Sequence, residues 1–127
     1  MEFGKQSLLV AAGAAVGANA RYWLSVWTAN RFGTEIPWGT FAINVSGSFV
    51  IGLFLALSSR YGWAEGWRLL IAVGLAGGYT TFSAFSLELL NMLQKNLYPL
   101  AALYVLASVT LGLAACGLGV FVGGLQR

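Results

Sequence analysis

The chain has 127 residues, 58% of them hydrophobic and 9% charged, far from the roughly 25% charged residues of an ordinary soluble domain. It contains no histidine and one cysteine, Cys116, which excludes zinc and haem sites, Cys-His catalysis and a disulfide framework, and leaves no nucleophile and base pair for an enzyme. The net charge of +3 comes from seven Lys and Arg scattered singly between apolar runs, which excludes a nucleic-acid-binding patch and describes an integral membrane protein rather than a signal peptide ahead of a polar domain.

At the usual requirement of about 20 apolar residues per helix, four membrane spans are predicted, at 8–29, 38–57, 67–93 and 98–125, forming one four-span domain over 1–127. The first span carries Gly13 and Gly17, then Arg21, which lies about 13 Å inside its end at Asn30 if the rise is 1.5 Å per residue. A turn with Arg31, Gly33, Glu35 and Pro37 leads to the second span. There Thr40, Asn44 and Ser48 fall at i, i+4 and i+8 and form one polar stripe. Asn44 reads either as an amide tying two helices together or as a donor on an ion path.

After a turn with Arg60, Gly62 and Glu65, the third span contains GLAGGYTTFSAFSLE at 74–88. Glycines at 74, 77 and 78, the hydroxyls of Thr80, Thr81, Ser83 and Ser86, two rings at Phe82 and Phe85, and the carboxylate of Glu88 share mid-membrane depth. Such chemistry is tolerated there only when buried in protein or lining water, so a broken helix near 77–81 and a functional site are predicted. Phe82 and Phe85 read as core or lipid-facing rings, or as positive ring edges offered to an anion. Converging carbonyls at the break suit a buried cation such as Na⁺.

A turn with Lys95, Asn96 and Pro99 leads to the fourth span, where Tyr104 and Ser108 lie at i and i+4 and Gly112 continues their line. Beside the first stripe this is a second hydroxyl wall, and the inventory leans toward donors suited to an anion. Arg21 and Glu88 are placed at similar depth by counting from span ends. They form a direct pair, or Arg21 concentrates anions in a vestibule while Glu88 carries a proton or accepts hydrogen bonds.

Short loops make successive helices antiparallel, and Trp27, Trp38, Tyr61, Trp63, Trp67 and Tyr98 fall near span ends as interfacial belts. Lys5, Arg60, Arg68 and Arg127 face one compartment against Arg31, Lys95 and the intramembrane Arg21 on the other. Four against three is a balance compatible with insertion in both orientations. Four helices enclose little volume, so an oligomer is expected. Small-xxx-small spacings at Gly13 and Gly17, Ser48 and Gly52, Gly74 and Gly78, and Gly119 and Gly123 serve helix contact within one subunit or between subunits.

The string from Gly77 to Glu88, PWGTFAINVSGS around Asn44, Arg21 after the first-span glycines, and Tyr104 with Ser108 resemble the Fluc (CrcB) bacterial fluoride channels over essentially the whole chain. The resemblance implies an all-α antiparallel dual-topology homodimer in the bacterial inner membrane. It also implies two pores exporting fluoride passively and a structural Na⁺ at the subunit interface. It further implies ring-edge fluoride contacts from Phe82 and Phe85, a donor at Asn44, and a polar track of Thr40, Ser83, Ser86 and Glu88. Tyr104 and Ser108 become the hydroxyl wall, Arg21 the vestibule cation, and the carbonyls of Gly77 and Thr80 the Na⁺ ligands. Gly112 departs from the pattern, standing where a hydroxyl residue is expected in some members. Two other readings are a small proton-coupled multidrug-type exporter using Glu88 and an accessory subunit with no path of its own.

Overall fold

The computed structural model describes residues 2–124, which form helices joined by short turns. Leu125, the predicted end of the fourth span, and Arg127, one of the topology charges, lie outside the described residues. Helix α1 covers Phe3–Phe32 and α2 covers Trp38–Tyr61. Helix α3, residues 65–79, is α-helical at Glu65–Trp67, π-helical over Arg68–Ala76 and α-helical again at Gly77–Tyr79. Helix α4 covers Phe82–Gln94 and α5 covers Tyr98–Gly124.

Local chemistry sets the turns. Gly33 (φ 81°) ends α1 with its N–H on the Ala29 carbonyl, and Gly62 (φ 62°) ends α2 in the left-handed conformation with its N–H on Ser58. Pro99 falls in the first turn of α5, where a missing N–H leaves no helical bond unmade.

Three stretches are long and apolar enough to cross a membrane: Trp38–Tyr61, Glu65–Gln94 and Tyr98–Gly124. The molecule is therefore a multi-pass membrane protein. Helix α1, where the first of the four spans is expected, is not among these three. That helix has 30 residues, ample length, but Asn19 and Arg21 midway along it dilute its apolar character.

Helix α1 lies on α3, and α2 lies on α5. In the first pair a Cβ added at Gly13 would strike the Leu70 carbonyl, and one at Gly17 the Leu75 carbonyl. From the other side, a Cβ at Gly74 or Gly78 would come within 2.7 Å of the Val10 or Ala14 carbonyl respectively. In the second pair Gly52 faces Cys116, Gly119 faces Phe49 and Leu53, and Gly123 faces Ala56. Contact numbers rise together in both pairs, so each pair runs parallel, as alternate members of an up-down bundle do. Gly13, Gly17, Gly52, Gly74, Gly78, Gly119 and Gly123 all pack within this chain, where small residues let backbones approach and gain dispersion contact.

Met92, Ala101 and Tyr104 form a buried cluster between α4 and α5, covered by Phe41, Phe85, Leu89 and Leu100. The aromatic residues predicted for the interfacial belts, Trp27, Trp38, Tyr61, Trp63, Trp67 and Tyr98, are all exposed.

Candidate functional site

The α3 helix keeps its hydrogen bonds through Thr80, whose N–H donates to the Ala76 carbonyl at 3.0 Å while its Oγ1 donates to the same oxygen at 2.9 Å. Thr80 and Thr81 are then both extended, at φ −76°, ψ 155° and φ −147°, ψ 121°. Gly77 and Gly78 remain helical, so the interruption falls after the glycines rather than at them. Gly78 is needed instead for the close approach to α1.

What holds the extended pair is α2. The Thr81 N–H donates to Asn44 Oδ1 at 2.8 Å, and Asn44 Nδ2 donates back to the Thr81 carbonyl at 3.0 Å. Thr81 Oγ1 accepts from the Ala84 N–H at 3.2 Å and so caps α4. The Thr80 methyl and the Tyr79 ring press on Gly47, where a Cβ would strike the methyl. One residue earlier Tyr79 Oη lies 2.8 Å from Ser46 Oγ, which donates in turn to the Ala42 carbonyl at 2.6 Å.

A cavity of about 370 Å³ opens beside this turn. From α2 it is lined by Asn44 and Ser48, from the turn by Gly77, Thr80 and Thr81, and from α4 and α5 by Phe82, Phe85 and Ser108. Ser108 Oγ is buried and has no hydrogen-bond partner. A buried unpaired hydroxyl costs free energy unless something visiting the cavity pairs with it. The two rings lie 5.9 Å apart at 40°, and Phe85 stacks on Tyr104 at 5.0 Å and 28°. Phe85 is thus fixed, whereas Phe82 is 79% exposed at the cavity rim.

Beyond Phe85 lies a second polar group. Glu88 accepts from Thr40 Oγ1 at 2.6 Å and from Tyr104 Oη at 2.7 Å, with Thr40 and Tyr104 both buried. Its carboxylate also borders two small cavities under the 33–37 turn, one shared with Ser25, Thr28 and Thr34, the other with Glu35, Asn91 and Lys95. Thr40 therefore leaves the stripe it shares with Asn44 and Ser48, because its hydroxyl is taken by Glu88. The ring pair Phe85 and Tyr104 stands between the two polar groups.

Arg21 is elsewhere. Its Nε donates to the Gly78 carbonyl at 3.1 Å, level with the turn, while Glu88 shares its cavity with Thr28, two helical turns further along α1. The equal depth expected for Arg21 and Glu88 fails. Both helices extend past the predicted ends, and the extended residues add length between Gly78 and Glu88. Ser83 and Ser86 also stand apart: both are exposed and neither lines the cavity. Ser86 donates to the Phe82 carbonyl at 2.9 Å, and Ser83 Oγ lies 3.4 Å from Thr81 Oγ1.

For a cation, the donor set at the turn is main-chain oxygen. The Thr81 N–H is engaged by Asn44, so the Gly77 carbonyl lacks its helical partner, and Gly77 lies exposed. Thr80, being extended, aims its carbonyl away from the helix ladder. No group of three or more Cys, Asp or Glu able to hold a metal occurs among the described residues. Thr81 is among the hydroxyls expected at mid-membrane depth but not among the residues assigned to the path, although its capping role has a signal, a threonine three residues before the N–H it caps. Ser46 and Tyr79 gave no signal, since a lone Ser and a lone Tyr at unrelated positions carry no spacing.

Residues 8–120 match the sequence profile of the family described as CrcB-like protein, Camphor Resistance (CrcB). The fluoride-specific ion channel FluC of Roseiflexus sp. (strain RS-1) is 47% identical over 117 residues, covering 91% of each chain. That of Acidobacterium capsulatum is 48% identical over 117 residues, 91% of this chain and 94% of its own. That of Rhizobium leguminosarum bv. trifolii is 43% identical over 118 residues, 92% of this chain and 94% of its own. These relatives are named as ion channels, which are not enzymes.

Proposed function

The chain belongs to the CrcB-like family, and from that membership we propose that it is a fluoride-selective channel of the bacterial inner membrane, carrying fluoride passively out of the cell. The observation that carries the reading is the unpartnered Ser108 hydroxyl in a cavity walled by Phe82, Phe85 and Asn44. A small anion crossing this space loses water and gains an O–H, an amide N–H and the positive edges of rings. These contacts are strong enough for entry and weak enough for exit. Beyond the cavity Tyr104 and Thr40 give their hydroxyl protons to Glu88, whose carboxylate holds both side chains in place beside the path as a hydrogen-bond acceptor.

Phe82 is exposed on the open rim, so one chain leaves the cavity incomplete on that side. A second copy in the opposite orientation would supply the missing wall, giving an antiparallel homodimer with one path beside each chain. The near balance of Lys and Arg between the two ends supports such dual insertion. Carbonyls of Gly77 and Thr80 from both copies would then hold a structural Na⁺, which supplies only charge and oxygen coordination. Arg21 would serve as a cation outside the cavity, and Ser83 and Ser86 would reach the path from the exposed face of α4.

The test is efflux from liposomes loaded with fluoride or chloride. Wild type is expected to release fluoride without a proton gradient and to retain chloride, with Phe85→Ile slowing fluoride by orders of magnitude. Transport that requires a proton gradient and disappears in Glu88→Gln would replace the channel reading with the exporter.

A further inference from the structure

We propose that the main chain of Thr81 sets the ion preference of this path, by fixing which end of the Asn44 amide faces it. The inference rests on the fluoride-channel reading and names a positioning group within it.

A carboxamide has a donor end and an acceptor end of nearly the same shape, so rotating it by half a turn reverses what it offers a passing ion. A free Asn beside an aqueous path would present its oxygen to cations as readily as its N–H to anions. Here the choice is removed. Oδ1 accepts from the Thr81 N–H at 2.8 Å and Nδ2 donates to the Thr81 carbonyl at 3.0 Å, which is a closed, reciprocal pair. Turning the amide over would set oxygen against oxygen and N–H against N–H, losing both bonds and adding two repulsions.

The pair turns Oδ1 toward the main chain, occupying one of its two lone pairs, and uses one of the two N–H bonds of Nδ2. The second N–H is on the side away from Oδ1, and Asn44 lines the cavity with Ser108, Phe82 and Phe85. The Nδ2 end of the amide therefore offers an ion a donor, while Oδ1 stays turned to the Thr81 N–H. The pair exists because Thr81 has left the helix: in a continuous helix its N–H would bond Gly77 and its carbonyl would face along the helix axis. The extended residues thus do more than interrupt α3, since they present one N–H and one C=O side by side at the spacing of an amide.

The pair is separable from the other bonds of the turn. Thr81 Oγ1 caps α4 through Ala84 and Thr80 keeps its helical bond, so removing the Thr81 N–H leaves both in place. Replacing Thr81 with its α-hydroxy analogue, by nonsense suppression in the full chain, substitutes an ester oxygen for that N–H, keeps every side chain and weakens the Thr80 carbonyl as an acceptor. The same exchange at Ala84 removes a neighbouring N–H that does not touch Asn44.

In liposomes the Thr81 ester is expected to lower the fluoride-to-chloride flux ratio by about tenfold, the worth of one hydrogen bond. The Ala84 ester, even if it melts lower, is expected to keep the wild-type ratio. A second measurement needs no variant: with ¹⁵N-labelled Asn in micelles, added fluoride should shift one side-chain N–H proton of Asn44 and leave the other. An unchanged ratio in the Thr81 ester, or equal shifts of both protons, overturns the inference alone. Wild type that releases no fluoride overturns the channel reading and this inference together.

Discussion

Helices α3 and α4 follow each other along one apolar stretch, yet they meet their neighbours differently. Helix α3 packs by backbone: Gly74 and Gly78 lie on Val10 and Ala14 of α1, and Gly13 and Gly17 return the contact. Helix α4 packs by side chains, with Phe85 stacked on Tyr104, Met92 buried among Leu89 and Ala101, and Glu88 held by two hydroxyls. Close backbones leave no space, whereas interlocking side chains leave cavities with polar edges. The site therefore opens where the first mode gives way to the second, at Thr80 and Thr81.

The comparison breaks most readily on the α3 side. Gly17→Leu should drive a side chain into the Leu75 carbonyl and destabilise the fold by about 3 kcal/mol or more, seen as lost thermal stability in detergent. Wild-type stability would show that the α1–α3 contact is not held by close backbones.

On the α4 side the expected losses are smaller and more selective. Tyr104→Phe keeps the ring on Phe85 and removes one donor to Glu88, which should cost about 1 to 2 kcal/mol and lower fluoride flux. Unchanged flux would remove Tyr104 from the path.

At the junction, Tyr79→Phe deletes the hydroxyl facing Ser46. A single interhelical bond in a membrane is worth about 0.6 kcal/mol, so melting should fall slightly, with the selectivity of wild type retained.

The smallest effect is expected at Gly112→Ser. A Cβ there would meet only Ser48 Oγ at 3.6 Å, an ordinary contact, so stability should stay within about 0.5 kcal/mol. Gly112 therefore departs from the resembled pattern without closing the space a hydroxyl would occupy. A large loss of stability in this variant would show that α2 and α5 are packed as tightly at Gly112 as at Gly119.

Much of this was legible along the chain, for physical reasons that can be named. Hydropathy locates α2, α3 with α4, and α5, because a bilayer demands length and apolar character from contiguous residues. Polar residues inside those runs mark Asn44, Thr80, Glu88, Tyr104 and Ser108, since such groups are expensive in lipid without a partner. The motif from Gly77 to Glu88 points to the family that the profile and relatives identify.

The partners of those groups were another matter. Counting residues from span ends set Arg21 beside Glu88, yet Arg21 reaches Gly78 and Glu88 reaches Thr40 and Tyr104. The stripe of Thr40, Asn44 and Ser48 looked like one surface, yet its members serve a carboxylate, a main-chain amide and the cavity wall. Glycine spacing indicated close contact without saying with what, and here the contacts lie within the chain. Sequence alone determined which residues are apolar enough to enter the membrane and which polar ones must find partners there, because both follow from transfer free energy residue by residue. Only the tertiary structure decided the pairings, because which hydroxyl meets which carboxylate depends on helix register and on two extended residues that shift everything beyond them.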